Sequence, residues 1–200
     1  VRKQSALARW ASASAARSFF GGFAELPAGK PGDDRLAGKP LFDEHHWDVR
    51  LVVAVTAKGP KKVGSTEGME RSRKTSPLYD AWVERAPALC RKIKRALKKK
   101  DLDTLGAAME QSTFAFHACA MSASPSILYW QPPTIAALRT VETLRDRGVS
   151  AWATMDAGPH VKVLCHADDA KKVQRALKRT EGVQSTLIAK PGAGVEVGIL

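Results

Sequence analysis

The 200-residue sequence predicts an α+β fold, and three observations lead there. Val49 to Thr56 is an almost unbroken run of β-branched and apolar residues, the pattern of a buried strand. Two further short runs, Ala151 to Met155 and Val161 to Cys165, flank the turn Asp156-Ala157-Gly158-Pro159-His160 and read as a hairpin. Long stretches with apolar residues at helical spacing separate the first strand from this hairpin, and another helix precedes a last strand. The order strand, helices, strand, strand, helix, strand over residues 47–200 predicts a split β-α-β, ferredoxin-like domain with an antiparallel sheet and packed helices.

The elements follow in order. Leu7, Trp10 and Ala11 sit at helical spacing, so the chain is expected to begin within a helix. A run of small residues, Ala11 to Ala16, leads to Arg17-Ser18 and the pair Gly21-Gly22. Residues 27–46 hold prolines, glycines and acidic residues and are expected to form a surface loop. Residues 1–46 are expected to be the end of a preceding domain whose beginning lies outside this chain. After the first strand, Gly59-Pro60-Lys61-Lys62 is a turn, and Gly64-Ser65-Thr66-Glu67-Gly68 reads as a polar loop bounded by glycines. Helices are expected from about Pro77 to Lys99, from Asp101 to about Met121, and from Pro133 to Arg147, the last with Ile135, Leu138, Val141 and Leu144 on one side. Asp168 and Asp169 open another helix, where their charge favours its N-terminal dipole. Gln184 to Ala189 is the final strand, broken by Pro191-Gly192.

Composition narrows the function classes. Apolar residues make up 44% of the chain, yet no run approaches the ~20 needed to span a bilayer. Val1-Arg2-Lys3-Gln4-Ser5 lacks the apolar core of a secretion signal, so a cytoplasmic protein with no membrane partner is expected. Cys90, Cys119 and Cys165 are odd in number and contain no CxxC pair, which points to reduced thiols. Neither His117-x-Cys119 nor Cys165-His166 has a zinc spacing, and no metal site is expected. The net charge of +12 suggests an anionic partner. Seven of the ten residues from Arg91 to Lys100 are Lys or Arg, around an apolar seam of Leu89, Ile93 and Leu97. With no aromatic residues between the lysines, this reads as a solvated helix face, and nucleic acid is not the expected partner. A basic nucleic-acid-binding module is the rival from another class, and steeply salt-dependent binding would identify it.

Three segments far apart in sequence carry possible chemistry. Ala8 to Phe23 holds Ser12, Ser14 and Arg17 among small residues, a pattern that lets backbone approach a ligand and offers hydroxyls and a guanidinium to phosphate or carboxylate. A tightly packed small-residue helix explains the same composition. Val63 to Met69, with Ser65, Thr66 and Gly68, makes a plausible anion loop or an ordinary surface turn. Asp156, closing an apolar strand before a glycine-proline turn, is either a catalytic carboxylate or a simple Asx-turn.

Taken together, the three segments resemble motifs of mevalonate diphosphate decarboxylases, members of the GHMP kinase superfamily. Ser12, Ser14, Arg17, Ser18, Gly21, Gly22 and Glu25 fit the first motif, with Ala11 and Ala13 where the family usually has glycine. Gly64 to Met69 fits the second, with Thr75-Ser76-Pro77 following as in the family. Met155-Asp156-Ala157-Gly158-Pro159 fits the third, with His160 in place of asparagine. Phe114-x-Phe116-His117 and Lys190-Pro191-Gly192 add to the likeness, which covers nearly all of the chain.

The resemblance implies a GHMP-kinase-like fold, the chain matching its carboxy-terminal domain (47–200) plus the tail of the amino-terminal substrate and ATP domain (1–46). It implies a lyase of the mevalonate pathway and isoprenoid biosynthesis, converting mevalonate 5-diphosphate to isopentenyl diphosphate with ATP and Mg2+, the ATP loop lying outside this chain. Asp156 and Arg17 are then the catalytic residues, with Arg17, Ser12, Ser14, Ser65, Thr66 and Gly68 binding substrate. A homodimer is implied as well. Phosphomevalonate decarboxylase and mevalonate 3-kinase are the neighbouring alternatives, and Asp156 with Arg17 favours decarboxylation over phosphorylation alone.

Overall fold

A computed structural model describes residues 1–30 and 32–196. The chain divides into two compact units, one of residues 1–48 with the segment from Lys190, the other of residues 49–189.

In the first unit, helix α1 (Arg2–Ala11) passes at Ser12 into the short helix α2 (Ala13–Ser18). Ser12 is extended (φ −165°, ψ 140°), and its hydroxyl caps α2 by accepting from Ser14 N–H at 3.2 Å. Buried Ser5 ties the unit together. Its Oγ donates to Ala16 O at 2.6 Å and accepts from Gly38 N–H at 3.0 Å. Leu7 and Trp10 lie on the outer side of α1 and are exposed, and Ser5 and Ala6 are buried in their stead. Strands β1 (Phe23–Glu25) and β2 (Lys39–Phe42) form an antiparallel pair with an irregular register at Phe23. β2 corrects the expectation of a loop through residue 46; four residues ending on Leu41 and Phe42 are too short for a periodic signal. The Gly21-Gly22 pair has a steric reason. A Cβ on Gly22 (φ +62°) would overlap the Asp43 backbone, and one on Gly21 would lie 2.7 Å from Gly194 N. Gly22 N–H donates to Gly192 O at 2.8 Å, which holds the C-terminal segment here.

The second unit is the split β-α-β fold that the sequence predicts. Its strands β3 (Val49–Val55), β4 (Ala151–Thr154), β5 (Val161–His166) and β6 (Ser185–Ala189) form an antiparallel sheet in the order β4-β5-β3-β6. Alternation puts Val52, Ala54, Ala151, Ala153, Val161, Val163 and Cys165 on one buried face, against α6 (Pro132–Asp146) and α7 (Ala170–Lys178). Leu138, Val141 and Leu144 of α6 enter that core, whereas Ile135 is half exposed and Thr134 takes the inner position. The long helices α4 (Tyr79–Lys99) and α5 (Leu102–Met121) pack together, and α5 also covers β4. Lys100, in left-handed conformation (φ 57°), ends α4, and Asp101 at once caps α5 by accepting from Thr104 N–H at 3.0 Å. Leu89, Ala96 and Leu97 form the buried side of α4, with most of its basic residues exposed.

A helix stands where a polar loop was expected. α3 (Ser65–Thr75) begins at Ser65, with Gly64 as its N-cap. Only Gly68 and Ser72 are buried, so it lacks an apolar period. Ion pairs one turn apart support it: Glu67 to Arg71 at 2.6 Å, and Glu70 to Arg73 and Lys74 at 2.7 and 3.1 Å. Among the described residues no helix is long and apolar enough to cross a membrane.

Candidate active site

In the second unit the candidate residues gather around the turn that leaves β4. Asp156 follows Met155, and its carbonyl accepts from Gly158 N–H at 2.6 Å, closing the turn. Pro159 O accepts from Thr56 Oγ1 at 2.6 Å and from Thr134 Oγ1 at 2.7 Å. His160 Nδ1 accepts from Thr56 N–H at 3.2 Å, which leaves the proton of a neutral ring on Nε2. The imidazole at this position thus anchors the turn to the end of β3.

The Asp156 side chain is exposed, and its Oδ1 lies 2.9 Å from Lys162 Nζ. Partial desolvation pushes its carboxyl up, but the hydrogen bond and charge of Lys162, with the charge of Lys61, outweigh it and hold the group below its ordinary value. At neutral pH Asp156 is therefore a carboxylate, able only to accept hydrogen bonds. Lys61 Nζ donates to Ala157 O at 2.5 Å and to Ser65 Oγ at 2.7 Å, linking the aspartate turn to the start of α3. The resulting chain of contacts joins Ser65, Lys61, the Asp156 turn and Lys162.

Ser65 and Thr66 are exposed in the first turn of α3, where unpaired N–H groups and the helix dipole favour an anion. Gly68 is placed differently. It is buried beneath Tyr129, whose Oη would lie 2.2 Å from an added Cβ, so the position demands glycine for packing.

In the first unit, Ser12, Ser14 and Arg17 share one exposed surface of α2 and its cap. The hydroxyls of Ser12 and Ser14 are 2.8 Å apart, and Arg17 Nη1 donates to Ala13 O at 3.4 Å, one turn back. Ala11 and Ala13 are helical, and Lys100 alone among described non-glycine residues has positive φ. Alanine in place of glycine here costs no backbone strain.

Sequence reading missed Lys61, Lys162 and Thr113. Lys162 is the second residue of a strand and Lys61 part of a turn, and neither spacing signals proximity to Asp156. Thr113 Oγ1, buried on α5, accepts from Met155 N–H at 2.9 Å and donates to Met155 O at 2.7 Å. One turn on, His117 is buried against the same segment; burial lowers it to about 4, opposed by the Asp156 backbone and charge.

Comparison with known proteins supplies the family. The model of the "Mevalonate 5-diphosphate decarboxylase C-terminal domain" family matches residues 51–191. The diphosphomevalonate decarboxylase of Schizosaccharomyces pombe is 29% identical over 188 residues, covering 89% of this chain and 48% of that protein. The crystal structure of mevalonate diphosphate decarboxylase from Staphylococcus aureus superposes with a TM-score of 0.90 at 30% identity, over 98% of this chain and 60% of that one. A further similar structure, MDDEF in complex with MVAPP, AMPPCP and magnesium, has a TM-score of 0.88 at 31% identity, over 98% of this chain and 60% of that one. The chain spans about half the length of the curated relatives it matches.

Proposed function

The chain belongs to the mevalonate 5-diphosphate decarboxylase family, and we propose that it carries part of the machinery for ATP-dependent decarboxylation of mevalonate 5-diphosphate to isopentenyl diphosphate. The observation that supports this most is the exposed Asp156 carboxylate, 2.9 Å from Lys162 Nζ just beyond β4, within the family's Met-Asp-Ala-Gly-Pro turn.

In this reading the Asp156 carboxylate lies beside the 3-hydroxyl of the substrate. A carboxylate of lowered basicity takes a proton from a tertiary alcohol only late, as phosphoryl transfer proceeds, so its task is to orient the hydroxyl and receive that proton. When the 3-phosphate leaves with the C–O electron pair, the same negative charge stabilises cationic character at C3. The C1–C2 electron pair then forms the new double bond, and carbon dioxide departs. Arg17 is given the C1 carboxylate, because its planar fork suits two-point binding and loss of carbon dioxide requires that group to be aligned with the breaking bond. Ser12, Ser14, Ser65 and Thr66 are assigned to the 5-diphosphate. These assignments come from the family motifs, and for Ser65 and Thr66 the start of α3 adds a physical reason. Gly68 contributes by packing.

ATP and Mg2+ enter the reading as co-substrate and its counter-ion. Among the described residues no three of His, Cys, Asp and Glu lie together as metal ligands, so no residue is assigned to magnesium and no step is routed through it. In the same reading the assembled enzyme is a cytoplasmic homodimer, for which sedimentation of the complete protein gives the state.

The test supplies the complete protein with MgATP and mevalonate 5-diphosphate labelled at C1. ATP-dependent release of labelled carbon dioxide supports the reading. No release from folded complete protein, or equal release from the 5-monophosphate alone, rejects it.

A further inference from the structure

β4 is the outermost strand of its sheet, and its far edge carries backbone groups that a further strand would normally pair. Side chains from α5 and α6 occupy that edge. Arg145 Nη1 donates to Ala151 O at 2.8 Å, and Glu110 Oε1 accepts from Ala153 N–H at 3.1 Å. Thr113 Oγ1 both accepts from Met155 N–H and donates to Met155 O. Residues 151, 153 and 155 are the alternate positions whose backbone faces away from β5, so the side chains continue the ladder in place of a strand. Glu110 and Arg145 are themselves paired at 3.1 Å in a half-buried setting. The ladder ends on Met155, directly before Asp156.

The last contact is the most demanding. Thr113 is 5% exposed, and its hydroxyl commits its proton and a lone pair to one residue. Valine, of the same shape, would leave the Met155 N–H and C=O without partners in a buried place, whereas serine would keep both bonds. The Asp156 side chain, by contrast, is exposed and steadied chiefly by Lys162, so its aim depends on the backbone beneath it.

We propose that Thr113, backed by Glu110, is a positioning residue for Asp156, fixing through Met155 where the carboxylate stands. The proposal rests on the reading of Asp156 as the reacting carboxylate. Neither residue touches substrate in this account.

The experiment compares Thr113→Val, Thr113→Ser and Glu110→Met in the complete enzyme, by steady-state kinetics and by 13C NMR titration of the Asp156 carboxyl, assigned with Asp156→Asn. For Thr113→Val the account expects kcat to fall about 10- to 100-fold with KM within about 3-fold, the pattern of misplaced chemistry. It also expects the Asp156 titration to move upward as contact with Lys162 loosens. Thr113→Ser should stay within about 3-fold of the parent in kcat and keep its titration. Glu110→Met should shift both readouts in the same direction, and it decides the matter if Thr113→Val does not fold. A folded Thr113→Val or Glu110→Met with unchanged kcat and titration overturns the proposal, as does a Thr113→Ser variant as impaired as Thr113→Val. A parent enzyme that releases no carbon dioxide overturns the functional reading alone, since the titration still measures the hold of Thr113 on Asp156.

Discussion

Gly106→Ala tests the packing of α5 on β4, because two effects of opposite sign meet there. In a helix interior alanine is favoured over glycine by about 1 kcal/mol, so propensity alone predicts a more stable protein. The structure reverses the sign. A Cβ at position 106 would lie 2.0, 2.2 and 2.4 Å from Cγ, Cδ1 and Cδ2 of Trp152 on β4. Ordinary carbon contact begins near 3.5 Å, so the ring must retreat by roughly 1.5 Å. It is held against doing so. Trp152 Nε1 donates to Ser150 Oγ at 3.1 Å and Asp103 Oδ1 at 3.3 Å, and the Arg145 guanidinium stacks 4.7 Å from the ring. Overpacking costs about 1–3 kcal/mol, and the bonds and stacking put at risk are worth about 0.5–1.5 kcal/mol each. After the propensity gain, a net destabilisation of about 1–4 kcal/mol remains. Urea unfolding of the complete protein should show a lower midpoint with unchanged slope. A variant as stable as the parent, or more stable, would refute the close docking of α5 on β4.

Other expectations follow from the same contacts. Lys162→Met should raise the Asp156 titration and move the acid limb of the activity profile upward, because the neighbour that favours the carboxylate is gone; an unmoved limb would detach Lys162 from Asp156. A depressed carboxyl adds stability that is present above the ordinary aspartate value and lost as pH falls through the folded value, so Lys162→Met should also shrink the acid-sensitive part of stability. His117 behaves differently. Its folded value near 4 against 6.5 means that the unfolded chain binds the proton more readily, so stability falls as pH drops from about 6.5 towards 4. His117→Asn should flatten that portion of the pH–stability curve, and an identical curve would count against a buried neutral imidazole. Gly68→Ala should destabilise by up to about 2 kcal/mol in thermal unfolding, since overpacking of about 1–3 kcal/mol where its Cβ meets Tyr129 Oη is offset by about 1 kcal/mol of helix propensity; a clearly more stable variant would mean that the ring yields freely.

Much of the second unit was legible because its elements are periodic. The run from Val49, the alternation at Ala151 and Val161, and the apolar seams of α4 and α6 each announce a buried face, and their order alone predicts the observed sheet. α3 was hidden because ion pairs support it in place of an apolar stripe, and β2 because it is short and lies among glycines and prolines. Ile135 matched the helical spacing but turned outward, since buried Thr134 was needed to hold Pro159. Of the candidate site, Asp156 was singled out by the family motif around it, its turn alone being open to a simple Asx-turn, whereas Lys61, Lys162 and Thr113 reach Ala157, Asp156 and Met155 from positions that no local pattern marks. Pairing across 42 positions, as between Thr113 and Met155, is a product of the fold and has no local signature.

The most direct test of the account is turnover of the complete enzyme with Asp156→Asn, read as carbon dioxide released from C1-labelled mevalonate 5-diphosphate. The carboxylate is replaced by a neutral amide of the same shape, so packing is retained while charge and proton acceptance are removed. The account predicts a loss of at least about 100-fold in turnover with ATP binding kept. Near-normal release of carbon dioxide by this variant would contradict it.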